Sequence, residues 1–87
     1  MDEKSPLEFP CSFPIKIVGR TEDGFAQAML EIVLRHAPDF DAASMEMRAS
    51  SKGAYLALTC TIRARSREQL DGLYRELTAH PRVKWVL

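Results

Sequence analysis

Few residues of this chain have the type and spacing that chemistry needs. The cysteines are Cys11 and Cys60, and the histidines are His36 and His80. A soft-metal site needs paired ligands at close spacing, such as Cys-x-x-Cys. The loop from Gly19 to Gly24 holds neither Cys nor His, and each histidine stands at or near a helix end without a partner at ligand spacing. No metal and no cofactor are expected. No Ser-His-Asp or Cys-His set is brought together by spacing, so no catalytic residue is named and the chain is read as non-enzymatic. Two segments are singled out only on the resemblances given below. One is the loop Gly19, Arg20, Thr21, Glu22, Asp23, Gly24 and Phe25, where a glycine lets the backbone approach a ligand closely. The other is Ser50, Ser51, Lys52 and Gly53, for which the structural reading is preferred, since a tight hairpin asks for small residues and a Gly.

The elements that position these segments follow from hydrophobic period. Phe13, Ile15 and Ile17 alternate with Pro14, Lys16 and Val18, which predicts a half-buried strand. Phe25, Ala28, Met29, Ile32, Val33 and His36 fall at helical spacing. Thr21 or Asp23 is the expected N-cap, and Arg35 and His36 suit the last turn. Pro38 stops that helix. A second strand is predicted over Met45 to Ala49, then the Ser50–Gly53 turn. A third strand follows, with Leu56, Leu58, Cys60 and Ile62 on one face. Ser66 to Ala79 reads as a second helix, with Ser66 and Gln69 forming a capping box and Gly72 a weak point. In a terminal strand, Val83, Trp85 and Leu87 alternate with Lys84 and Val86. Residues 1–11 read as a proline-interrupted lead-in in which Leu7 and Phe9 offer apolar anchors. Residues 12–87 form one domain.

The order strand, helix, strand, strand, helix, strand predicts an α+β fold, the ferredoxin-like βαββαβ sandwich. Its four-stranded antiparallel sheet carries both helices on one face, with the first and third strands central. Eighty-seven residues suffice for one small domain. The hydrophobic share of 46% and charged share of 28% exclude a disordered tail and a low-complexity linker. No apolar run approaches the roughly 20 residues that cross a bilayer. The start, Met1 to Pro6, lacks the apolar region of an export signal, so a cytoplasmic protein with reduced thiols is expected and no membrane. Cys60 is expected in the core and Cys11 in a loop.

Several functions live on this plan, and the fold alone selects none. Acyl phosphate hydrolysis needs an anion-cradling Arg loop and a carboxamide to orient water. Gly19-Arg20 suits the first need, but the chain has no Asn, and Gln27 and Gln69 lie in helices. An RNA-recognition module needs aromatics on the open face of the central strands. Lys52-Gly53-Ala54-Tyr55 resembles the start of its motif. The expected open face nevertheless carries Lys16, Val18, Ala57, Thr59 and Thr61, with Tyr55 the one aromatic. Zero net charge removes attraction to phosphate, so no nucleic acid is expected. Arg63, Arg65 and Arg67 form a local basic cluster, read as a solvated junction. Thr21-Glu22-Asp23-Gly24-Phe25 resembles the Asp-x-x-Gly-Leu effector loop of ACT domains. The usual proline is absent, and Asp39-Phe40-Asp41 replaces the Gly-x-Asn-Ile that opens the second strand there.

Taken in order, several stretches resemble the YbeD-like family of small bacterial proteins. They are Leu7-Glu8-Phe9-Pro10, Arg35-His36-Ala37-Pro38, Ser50-Ser51-Lys52-Gly53 with Tyr55, Glu68-Gln69 with Tyr74-Arg75-Glu76-Leu77, and Val86-Leu87. The resemblance implies an ACT-like ferredoxin sandwich and a link to lipoate metabolism, proposed for that family by association. It carries no catalytic residue. The expected function is a regulatory or adaptor module that binds a protein partner, as a monomer or a homodimer, with Met45 to Ala49 a plausible pairing edge. Its expected surfaces are the open sheet face, with Lys16, Val18, Thr59, Thr61 and Val86, and the Gly19–Phe25 loop. The alternative is an ACT-like sensor of a small effector, an amino acid or a short-chain acid such as lipoate or octanoate.

Overall fold

The computed structural model describes residues 8–87. Leu7 and the rest of residues 1–7 lie outside the described residues. In chain order the elements are β1 (Cys11–Arg20), α1 (Phe25–His36), β2 (Glu46–Ala49), β3 (Tyr55–Ala64), α2 (Arg67–Ala79) and β4 (Val83–Val86), with a short 3-10 turn over Ala42–Ser44. The sheet is antiparallel, in the order β2-β3-β1-β4. This is the expected ferredoxin-like sandwich, with β1 and β3 central.

The core forms where the alternating strands meet the apolar stripes of both helices. Ile15, Ile17, Leu58, Cys60 and Ile62 point from the sheet into Phe25, Met29, Ile32, Val33, Leu70, Leu73 and Leu77. Phe9 packs half-buried against this core, while Phe40, inside a stretch that reads as polar, is buried at its edge. Burial of each such large side chain contributes roughly 1.5–3 kcal/mol.

Several local expectations are corrected. Cys11 is the first residue of β1 rather than part of a loop. Pro14 sits well inside that central strand at no cost to the ladder. Lys16 exchanges bonds with Leu87 on the β4 side, so the missing Pro14 donor faces the same side, beyond the last residue of β4. Neither Thr21 nor Asp23 caps α1. Its N-cap is Gly24, at φ 81° in the left-handed region, with no side-chain cap. The second helix is capped by Ser66, whose Oγ accepts from the Gln69 amide at 3.1 Å. The return half of the box is displaced: Gln69 Oε1 accepts from the Arg65 amide, and its Nε2 donates to the His36 carbonyl at 2.8 Å. One side chain thus ties the start of α2 to the end of α1.

The helices are also joined by charge. Glu76 of α2 accepts from Arg35 and lies 2.7 Å from His36 Nε2. His36 is therefore satisfied by the opposite helix. The imidazole lies over Gly72, where a Cβ would meet it at an ordinary contact distance of 3.4 Å. The Arg35 hydrogen bond, then that from His36, holds the Glu76 carboxyl below its ordinary value. A carboxylate depressed in the folded chain stabilises above its unfolded value, and the contribution disappears as pH falls through the folded value. Glu76→Gln is expected to lower the urea midpoint at neutral pH and to flatten its fall below pH 4.5, the carboxylate's ordinary value. Parallel acid titrations of both proteins check this, and identical slopes would contradict it.

Candidate functional site

The geometry at the Gly19 end of β1 decides which side chains reach the surface. A Cβ on Gly19 would lie 2.5 Å from the Arg82 carbonyl and 2.5 Å from the Phe25 ring. Only glycine lets the fully buried Phe25 and the backbone entering β4 both close on β1. The β1–β4 ladder shifts register at this point: Val18 pairs with Trp85, but Gly19 pairs with Val83. Lys84 is the extra residue of a β-bulge. As a result Val83 and Val86 both pack against the core, while Trp85 stands across from Val18 on the open face. Strict alternation predicts the reverse, with Trp85 inward and Val86 outward. The bulge is the physical reason for the correction.

Cross-strand rows define the open face. One row reads Arg48, Ala57, Val18, Trp85, and the next Glu46, Thr59, Lys16. Leu87 extends the second row by exchanging backbone bonds with Lys16. On the other side, Tyr55 pairs with Arg20. The rings of Tyr55 and Trp85 meet over β1 at 6.2 Å and an interplanar angle of 40°. They cover Val18, which is only 6% exposed although no helix lies above it. Trp85 remains 49% exposed and Leu87 66% exposed. Between the aromatic pair and Arg48 the floor is Ala57 and Val18, small residues that leave a concavity of about 400 Å³. A second hollow of about 330 Å³ adjoins it, sharing Lys16, Arg48 and Ala57.

The two segments singled out in the sequence come together at one end of this face. The Thr21 amide donates to the Ala54 carbonyl at 2.9 Å, which ties the first loop to the hairpin. Within the hairpin, Gly53 takes φ 72° and its amide donates to Ser50 at 2.8 Å, while Ser50 Oγ accepts from Tyr55. Every bond given to Ser50 and Gly53 serves the turn. In the first loop, Arg82 acts as a clasp: its Nε donates to Glu22 at 3.2 Å and its Nη2 to the Asp23 carbonyl at 2.6 Å. The Arg63–Arg65–Arg67 cluster is divided. Arg63 lies on the open face, Arg65 pairs with Asp39 at 2.8 Å, and Arg67 begins α2. Trp85, Arg48 and Arg82 were absent from the sequence-based sites. Alternation in β4 assigned Trp85 to the core, so no signal in the sequence pointed there.

Among the described residues, no three His, Cys, Asp or Glu side chains gather as a metal site, and no helix is long and apolar enough to cross a membrane. Cys60 is fully buried, and that burial pushes its thiol up to about 11. Thiol alkylation of the native chain at pH 8 is expected to modify half-buried Cys11 and spare Cys60 until the fold opens. Mass spectrometry of the modified peptides checks this; equal labelling would contradict it.

Fold and face together define a small ACT-like domain of the ferredoxin-like class, with both helices on one side of the sheet and an aromatic, cationic surface on the other. Solved structures share the fold, these two among them. Protein HP0495 from H. pylori superposes with a TM-score of 0.76 at 13% identity, covering 97% of this chain and 88% of that one. The ACT domain from the GTP pyrophosphokinase of Chlorobium tepidum superposes with a TM-score of 0.66 at 18% identity, covering 87% and 84%. The family described as "Protein of unknown function (DUF493)" matches residues 4–87. A UPF0250 protein of Nitrosomonas europaea is 55% identical over 87 residues, covering all of both chains. One of Bordetella pertussis is 55% identical over 85 residues, covering 98% of this chain and 93% of its own. The chain belongs to this DUF493, or UPF0250, family of small bacterial proteins, which is the YbeD-like family of the resemblance.

Proposed function

We propose that this domain is a non-catalytic regulatory or adaptor module that engages a protein partner through its open sheet face. The observation that carries the reading is the Val18–Tyr55–Trp85 patch. One sheet face is sealed by the helices, yet the other holds a tryptophan that packs on its neighbours and still exposes half its surface. Partially exposed aromatics over a small-residue floor are the usual anchors of protein interfaces. The ACT domain of the structural neighbour is part of a GTP pyrophosphokinase. The present domain is read as acting on a separate protein, by contact. The family resemblance implies lipoate-handling proteins as the first partners to try, in the cytoplasm.

The effector-sensor alternative rests on the loop from Gly19 to Phe25. Gly24 is left-handed there, and α1 has no side-chain cap. It is the weaker reading because Arg82 already holds both Glu22 and the Asp23 carbonyl. An amide NMR titration with amino acids, lipoate and octanoate separates the two. Shifts confined to Gly19–Phe25 would make the sensor reading primary.

Trp85→Ala tests the docking reading. The full-length variant is expected to melt within a few degrees of the wild type, since the side chain is half exposed. It should retain less than about a tenth of the wild-type partner recovered in affinity capture. Glu31→Ala, on the exposed face of α1, serves as the control and should capture normally. Equal recovery with Trp85→Ala would refute the open face as the docking surface.

A further inference from the structure

We infer that the open sheet face receives an acidic segment of a partner protein that also carries a large apolar side chain, an inference that rests on the docking reading above. Overall charge is zero, with twelve basic and twelve acidic residues, and the helices carry both signs, but the open sheet face is predominantly basic. The strand positions facing away from the helices carry Lys16, Arg20, Arg48 and Arg63, against the single carboxylate side chain of Glu46. Among the described residues, none of these four cations has an ion-pair partner within 4.0 Å. The observed pairs use Arg35, His36, Arg65 and Arg82. Lys16, Arg20 and Arg48 lie around the Val18–Ala57 floor, while Arg63 stands six residues farther along β3, about 20 Å away; the three near cations focus field on that floor and favour an anion there.

The spacing gives the ligand its form. Arg48 and Trp85 stand at opposite ends of one row. Three interstrand steps separate them by about 14 Å, the span of roughly four residues of extended chain. A segment crossing the row can place an apolar side chain on the Tyr55–Trp85–Val18 patch and a carboxylate beside Arg48, with Lys16 close to its path. Single-stranded nucleic acid fits less well. Base stacking needs an open ring face, whereas Tyr55 and Trp85 lean on each other over Val18 at an angle of 40°. The remaining floor, Ala57 with Leu87 at its margin, is aliphatic.

The test is an amide NMR titration of the full chain at low salt with four probes. The first is a peptide of about ten residues alternating Glu or Asp with Leu and Phe. The second replaces its acids by Gln and Asn, the third replaces its apolar residues by Ala, and the fourth is an oligothymidylate. The acidic apolar peptide is expected to shift Lys16 to Arg20, Tyr55 to Ala57 and the Trp85 indole. It should bind at least about tenfold more tightly than either altered peptide and weaken in high salt. Lys16→Glu and Arg48→Glu, both surface changes, should each weaken it about tenfold. Equal binding of the uncharged peptide on the same face would overturn the acidic preference and leave the docking reading standing. Tighter binding of the oligothymidylate would replace the protein segment by nucleic acid. If no probe moves the face, this inference fails, and the docking reading is decided by the Trp85→Ala capture alone.

Discussion

The absence of one Cβ governs both faces of this sheet. Gly19 lies where β1, the start of α1 and the backbone of β4 converge, with no room for a side chain between the Phe25 ring and the Arg82 carbonyl. That close approach seats Phe25 in the core. The ladder then shifts by one residue at Lys84, which turns Val83 and Val86 inward together and leaves Trp85 outward. The buried side of β4 and the exposed aromatic of the candidate site are therefore two results of the same packing constraint. Arg82 adds to it by bonding back to Glu22 and Asp23, so the loop before α1 is fixed from β4.

On the helical side, polar contacts do the aligning. Gln69 reaches from α2 to the last carbonyl of α1, and Glu76 gathers Arg35 and His36. Exposed ion pairs contribute little to stability, but here they fix how two short helices lie on one sheet. They also use charge on that side, while four cations on the open side have no partner among the described residues. A chain that looks electrically neutral in composition thus presents a basic, partly aromatic surface. Charge counted along a sequence does not report charge sorted by strand parity.

The fold was legible because its signals are redundant. Helical stripes, alternating strands, Pro38 and the Ser50–Gly53 turn all point to one order of elements, and the structure has that order. The strand faces were legible wherever alternation is unbroken, as in β1 and β3. They were misassigned in β4, because a bulge is a property of two strands in contact and leaves no mark in one of them. The caps were read from side-chain oxygens, so the backbone solution at Gly24 was missed. The two picked segments do meet through Thr21 and Ala54. The residues now central, Arg48 and Trp85, are joined only by a row that crosses every strand of the sheet.

The central claim is that the open sheet face is the functional surface. Its most direct measurement is site-specific photo-crosslinking in living cells, with the reactive group at Ala57 in the floor of the face or at Glu31 on the outer side of α1. Adducts to a discrete protein from position 57 and none from position 31 are the predicted result. Adducts from position 31 alone would contradict the account and move the functional surface to the helices.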